Sequence, residues 1–325
     1  MNIRRLPTLA AALCMGTLLA STAAPASAIG SSGPDIGTWN RVTTSSQNRP
    51  DVRAPEGGAK VLVFGDSHTG GVTLPMYADT RGCLHSTRSW PAQLGETMGV
   101  AANDVIDASC YGASLAAEGQ TLADQVRYAE ALGGLGHRTT DILIQLGSND
   151  DWSLPGLTMF TSQKNCAADL LGSCGQRGID RGRFINPSAV TADSYVARVK
   201  PVIDYLRYYA PEAKIQLVSY VRFAPENGRD MCLKVGPLNS VIPESWPLAD
   251  SYRNLVVAQR EAARQLNLGF VDVDAATAGH GSCSGDSWVT GMLDGSDHYR
   301  NLLMWHPTET ANWVTADQVK RNLKS

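Results

Sequence analysis

Apolar and polar positions fall in blocks along this chain, and the blocks predict its elements. Val61-Leu62-Val63-Phe64 is an apolar run rich in β-branched residues, and Gly65-Asp66-Ser67 stops it. Such a run predicts a fully buried strand. Four more runs predict strands: Val105 to Ala108, Asp141 to Leu146, Lys214 to Val218 and Leu268 to Val273. Between them lie helical stretches. Trp90 to Met98 has Pro91 in its first turn and Gly99 at its C-cap. Leu115 to Leu132 is rich in Ala, Leu, Gln and Glu, and ends at Gly133-Gly134. Ala192 to Tyr209 places Val196, Val199, Ile203 and Leu206 on one helical face, and Pro211 closes it. Pro247 to about Leu266 and Thr308 to Leu323 predict two more helices. Trp152 to Pro187 and Arg222 to Ser245 have no period and read as irregular insertions. Strands alternating with helices mean βαβ units. The expected fold is therefore α/β: a three-layer α/β/α sandwich on a five-stranded, mostly parallel sheet.

The N-terminus changes what counts as the folded chain. Arg4-Arg5, the apolar run Leu6 to Ala24 and the small-x-small site Ala26-Ser27-Ala28 form a secretory signal peptide over residues 1–28, cleaved before Ile29. No second long apolar run follows, so no stable membrane anchor is expected. Residues 29–55 are rich in Ser, Thr, Gly and Asn and read as an extended lead-in. Residues 56–325 read as one domain, long but acceptable for an α/β fold. Loss of Arg4 and Arg5 takes the formal charge from −3 to −5. Without a basic tract, nucleic acid is not an implied partner. Cys83, Cys110, Cys166, Cys174, Cys232 and Cys283 remain after cleavage. An even count in a secreted chain implies disulfides, with the pairing left open. The absence of a Cys-x-x-Cys pair argues against zinc.

Candidate chemistry gathers at strand ends. In open α/β sheets, ligands bind outside the carboxyl ends of the strands. Ser67 stands there, just past the first strand. Ser109-Cys110-Tyr111-Gly112-Ala113 follows the second strand and Gly147-Ser148-Asn149-Asp150 the third, while Trp305-His306-Pro307 precedes the last helix. A serine needs a base to become a nucleophile at neutral pH. The oxyanion it generates needs preorganised donors, such as backbone N–H groups and an Asn amide. Ser67, His306, Gly112 and Asn149 would supply those parts. Asp66 is expected to hold the turn, and His68 to line the cleft without a chemical role.

Gly-Asp-Ser after the first strand, Gly112 after the second, Gly-Ser-Asn-Asp after the third and His-Pro near the end together resemble the SGNH (GDSL-type) hydrolases. The resemblance spans nearly the whole mature chain. It implies Ser67 as nucleophile and His306 as general base. The backbone N–H groups of Ser67 and Gly112 and the side-chain amide of Asn149 would form the oxyanion hole. Ser109-Cys110, the short Cys166 to Cys174 loop and Tyr220 to Glu226 are similar to secreted actinobacterial esterases and lipases of this family. That similarity implies the pairs Cys83–Cys110, Cys166–Cys174 and Cys232–Cys283.

Two departures matter. The family often has Leu after the serine, where this chain has His68. The residue three before the His-Pro histidine is usually Asp, but here it is Leu303. A Ser67–His306 dyad is therefore expected, with the Leu303 carbonyl holding the His306 ring; the rival is a loop that brings back Asp294 or Asp297. His85, His137, His280 and His298 read as surface or loop residues. The apolar run Trp152 to Phe160 directly follows Asn149's block and reads as an acyl-binding wall. The expected function is a secreted serine carboxylic-ester hydrolase, acting as a monomer on lipid or other acyl esters with neither metal nor cofactor. The alternatives are a carbohydrate O-deacetylase on the same scaffold or a non-catalytic carbohydrate- or lipid-binding relic.

Overall fold

Five apolar runs become strands β1 (Val61–Gly65), β2 (Val105–Asp107), β3 (Asp141–Gln145), β4 (Lys214–Val218) and β5 (Gly269–Val271). The computed structural model describes residues 54–99, 104–117, 119–168, 174–226, 228–292 and 303–324. The leader, nearly all of the lead-in, Asp294, Asp297 and His298 lie outside the described residues. The strands form one sheet in the order β2-β1-β3-β4-β5, and every pairing is parallel. β1 and β3 are buried at every position, which is why they read as continuous apolar runs rather than alternating ones. The chain runs outward from β1 to β2, then returns to place β3 on the other side of β1. That reversal opens a crevice at the carboxyl ends of β1 and β3, where Gly65 lies opposite Gln145.

Five helices cover the sheet: α1 (Trp90–Met98), α2 (Leu122–Ala131), α3 (Ala192–Tyr209), α4 (Trp246–Gln265) and α5 (Glu309–Asn322). α1 packs on α5, and α3 packs on α4 and α2. Side-chain caps start several of them. Thr191 accepts from Ser194 N and Thr308 from Ala311 N, while Thr121 and Asp124 form a capping box. That box explains why α2 starts at Leu122 instead of Leu115. The Leu115 and Ala116 N–H groups donate to the Asp150 carboxylate at 2.9 and 3.2 Å, drawing this stretch out of the helix toward β3. No helix among the described residues is long and apolar enough to cross a membrane.

The insertions hold more order than their sequences suggest. Trp152 to Pro187 contains the helices Met159–Ala168 and Gln176–Asp180. Arg222 to Ser245 contains an antiparallel ribbon, Cys232–Val235 with Leu238–Val241. A second ribbon, Met76–Ala78 with Leu84–Ser86, fills the loop after β1. Strands of three or four residues are too short to declare a period. The run expected to wall a pocket does something else: Trp152 and Met159 join the hydrophobic core, Leu157 is buried, and Leu154 faces solvent.

Cysteine pairs join Cys83 to Cys110, Cys166 to Cys174 and Cys232 to Cys283. The first ties the Met76–Ser86 ribbon to the loop after β2. His85, expected at the surface, reinforces that tie from inside. It is 2% exposed, with Nδ1 at 3.1 Å from Asp107 and Nε2 at 3.5 Å from Asp79. Burial alone would lower its pKa, but the two carboxylates raise it. His137 is exposed, and His280 is half-buried and stacks on Trp288.

Candidate active site

The Ser67 turn begins with a glycine that tolerates no substitute. A Cβ on Gly65 would stand 2.0 Å from Thr69 Oγ1. Thr69 cannot yield, because that hydroxyl donates to Gln145 Oε1 at 2.8 Å. Gln125 of α2 grips the Gly65 peptide from both sides, accepting from its N–H at 2.8 Å and donating to its carbonyl at 2.7 Å. Two buried glutamines, one on the covered face of α2 and one on the fully buried strand β3, thus fix where the serine emerges. Polar side chains at covered positions were the one sequence signal for this role.

Asp66 caps the short helix Ser67–Gly70 and is fully buried. Its Oδ1 accepts from His68 N at 2.9 Å and from His68 Nδ1 at 3.1 Å. Its Oδ2 accepts from Ser148 Oγ at 2.6 Å, Tyr220 Oη at 2.7 Å and, at a longer 3.4 Å, Asn149 Nδ2. Burial alone would raise this carboxyl, yet His68, Ser148 and Tyr220 together hold it below the usual carboxylate range. Asp66 therefore does hold the turn, and it also joins the ends of β1, β3 and β4.

His306 arrives from the other end of the chain. Its Nε2 stands 2.8 Å from Ser67 Oγ, across 239 residues of sequence, with Ser67 9% and His306 1% exposed. Thr290 straps the loop. It donates to the His306 carbonyl through N–H at 2.8 Å and accepts the Trp305 and His306 N–H groups through its carbonyl and hydroxyl at 2.8 and 3.0 Å. Trp305 adopts a left-handed backbone, φ 54°, costly for a bulky residue. Its indole donates to the Cys232 carbonyl at 2.8 Å, which helps hold that conformation. The turn at Trp305 also decides which carbonyl meets the ring. His306 Nδ1 lies 3.0 Å from the Met304 carbonyl, while the Leu303 carbonyl is taken by Thr290 Oγ1 at 2.7 Å. The Met304 carbonyl is thus the ring's nearest acceptor, and the expected Leu303 carbonyl acts on the ring behind it. Burial, and after it the neighbouring His68, push His306 down to about 3.

Gly112 and Asn149 belong to loops tied to the same turn. Cys110 N–H donates to the Gly65 carbonyl at 3.0 Å, and Tyr111 Oη donates to the Gly71 carbonyl, so the second block brackets Ser67. Gly112 has φ +76°, a left-handed conformation that favours glycine, and a Cβ there would meet open space. Its peptide is exposed. Asn149 Nδ2 donates to the carbonyl of the next residue, Ala113, at 3.1 Å. Asp150 locks the two loops together through Leu115 and Ala116, with Arg198 Nε at 3.7 Å. Burial pushes its carboxyl up to about 6 despite those donors. Ser67 and His306 are in direct contact, and Asn149 reaches both Asp66, next to Ser67, and the carbonyl of Ala113, next to Gly112. Among the described residues, no group of three or more His, Cys, Asp or Glu side chains is arranged to hold a metal ion.

The model of the GDSL-like lipase/acylhydrolase family matches residues 63–314. Lipase 2 of Streptomyces coelicolor is 27% identical over 251 residues, 76% of this chain and 79% of that protein. The structure of phospholipase A1 from Streptomyces albidoflavus superposes with a TM-score of 0.57 at 22% identity, covering 82% of this chain and 99% of that one. The extracellular lipase of Streptomyces rimosus gives 0.55 at 19% identity, with the same coverage.

Proposed function

The chain belongs to the GDSL-like lipase/acylhydrolase family, and from that premise we propose that Ser67 and His306 are the working pair of an exported serine hydrolase. As a member of that family it is a carboxylic-ester hydrolase. What supports the pair is a single contact, the 2.8 Å approach of His306 Nε2 to Ser67 Oγ inside a buried network. Ser67 Oγ attacks the ester carbonyl and its proton passes to His306 Nε2. The oxyanion is held by the N–H groups of Ser67 and Gly112 and the Asn149 amide. Collapse expels the alcohol, which takes the proton from His306 and leaves an acyl group on Ser67. Water then attacks the acyl carbonyl, again giving its proton to His306, and collapse releases the acid as His306 returns that proton to Ser67 Oγ. The ring is held in its tautomer by Nδ1–H donated to the Met304 carbonyl, so the machinery is a dyad.

The substrates are lipid or other acyl esters, a reading supported by the lipase name of the S. coelicolor relative. Export past a leader ending at Ala28 is supported by three disulfides, which persist in oxidising compartments. The test is a panel of p-nitrophenyl esters from acetate to palmitate, run beside phospholipid vesicles and acetylated xylan, with fluorophosphonate labelling. Hydrolysis of acyl esters with the label on Ser67 is expected. Cleavage of acetylated xylan alone would return the reading to an O-deacetylase, and neither turnover nor label would make the chain a binding relic.

A base must be unprotonated to accept the serine proton. With His306 held near 3 by burial, the acid limb of kcat/KM lies well below the ordinary histidine value of about 6.5. Activity at pH 5 is expected to stay within about twofold of that at pH 7, where an unperturbed histidine would lose roughly 30-fold. The stability sign runs against this advantage. Between about 6.5 and 3 the unfolded chain binds a proton that the folded chain refuses. Stability is therefore lost as pH falls through that window. Initial rates on protein shown to be folded at each pH separate the two effects. A tenfold loss at pH 5 without unfolding would contradict the buried neutral base.

A further inference from the structure

The family resemblance leaves one position without a role. His68 stands where Leu is common, and its ring lies flat on the ring of His306, with centroids 4.4 Å apart and planes 4° from parallel. Such alignment is held from several sides. Nδ1 donates to the buried Asp66 carboxylate at 3.1 Å, since an ionised carboxylate only accepts. Tyr220 and Phe223 meet the ring edge-on, with centroids at 5.0 and 5.2 Å. Nε2 is buried and makes no hydrogen bond. The ring is therefore anchored at one nitrogen and spends its face on His306.

His306 itself is thinly held. Nδ1 has a neutral carbonyl for a partner, and Nε2 has the serine hydroxyl. Both bonds lie in the ring plane, so tilt of the ring out of that plane is what they restrain least. A flat neighbour pressed on one face restrains that tilt.

We propose that His68 is a positioning residue for the general base: its ring, fixed by Asp66, stacks on His306 to keep Nε2 aimed at Ser67 Oγ. The proposal rests on the Ser67–His306 reading. It assigns the work to the aromatic face of His68 rather than to its hydrogen bond, and four variants separate those two features. His68→Phe keeps a flat ring and loses the bond to Asp66. His68→Asn keeps a donor near the Nδ1 position and loses the ring. His68→Leu loses both, and His68→Met replaces it if the leucine variant does not fold.

The readout is kcat and KM on one p-nitrophenyl ester, with thermal midpoints to establish folding. His68→Leu and His68→Asn are expected to lose about ten- to a hundredfold in kcat, the scale of a misplaced catalytic group, with KM nearly unchanged. His68→Phe is expected to recover most of that loss. Three results would overturn the proposal: His68→Asn active and His68→Phe impaired, loss confined to KM, or all variants equal to wild type. The underlying dyad fails differently. In that case Ser67→Ala would keep its activity whatever the His68 variants do.

Discussion

Ser67→Ala is expected to remove ester hydrolysis almost completely, by roughly a millionfold in kcat, the scale seen when a serine nucleophile is deleted from comparable machinery. The argument is geometric. Ser67 Oγ is the side-chain atom facing His306 Nε2 at 2.8 Å, and both groups are shielded from water. Water in place of the hydroxyl would lose the effective concentration that a fixed nucleophile provides. The fold should hardly notice. Ala suits the first turn of a short helix, and the turn is fixed by Gln125, Gln145 and Asp66 rather than by the serine hydroxyl. The thermal midpoint should stay within a few degrees of wild type, and fluorophosphonate labelling should vanish with turnover. Activity within tenfold of wild type would mean that Ser67 is not the nucleophile.

The second large effect is at Asn149. Removing one donor to a developing oxyanion typically costs about 100- to 1,000-fold in turnover, and Asn149→Ala is expected to fall in that range. KM should move much less, because the charge on the carbonyl oxygen builds only in the transition state. Asn149 Nδ2 already has two partners, Ala113 O at 3.1 Å and Asp66 Oδ2 at 3.4 Å. The longer bond, to Asp66, is the one an oxyanion would compete for, and Asp66 keeps Ser148 and Tyr220 as donors if it is released. The neighbouring loop should survive the substitution, since Asp150 still binds the Leu115 and Ala116 N–H groups. Paired measurements of kcat, KM and thermal midpoint check this. A loss confined to KM would place Asn149 on the ground-state substrate instead.

Both expectations depend on residues whose partners the sequence pattern does not name. Gln125 and Gln145 look like helix and strand polar residues until each is seen spending its amide on the Ser67 turn. Thr290 lies in a stretch with no period, sixteen residues before the histidine it straps. The apolar run after Asn149 packs inward instead of walling a pocket, for a related reason. Short apolar runs say that a segment is buried but not against what, and Trp152 and Met159 turned toward the core.

What the sequence determined is whatever repeats locally or keeps its order along the chain. The five strands follow from runs of covered β-branched residues, α1, α3, α4 and α5 from helical spacing and end signals, and the serine, glycine, asparagine and histidine blocks from their positions at element ends. These depend on neighbours a few residues away, and such preferences survive without the fold. The tertiary structure alone decided three things. Leu115 and Ala116 left the helix because Asp150, some 34 residues on, claimed their N–H groups. The His306 ring meets the Met304 carbonyl first, with the Leu303 carbonyl behind it, because Trp305 turns the chain left-handed. His68 became the floor of that ring because the two blocks, far apart in the chain, meet in one buried crevice. Hydrogen bonds and stacking between distant segments carry no periodic signal; they are selected by which surfaces close packing brings within about 3–4 Å.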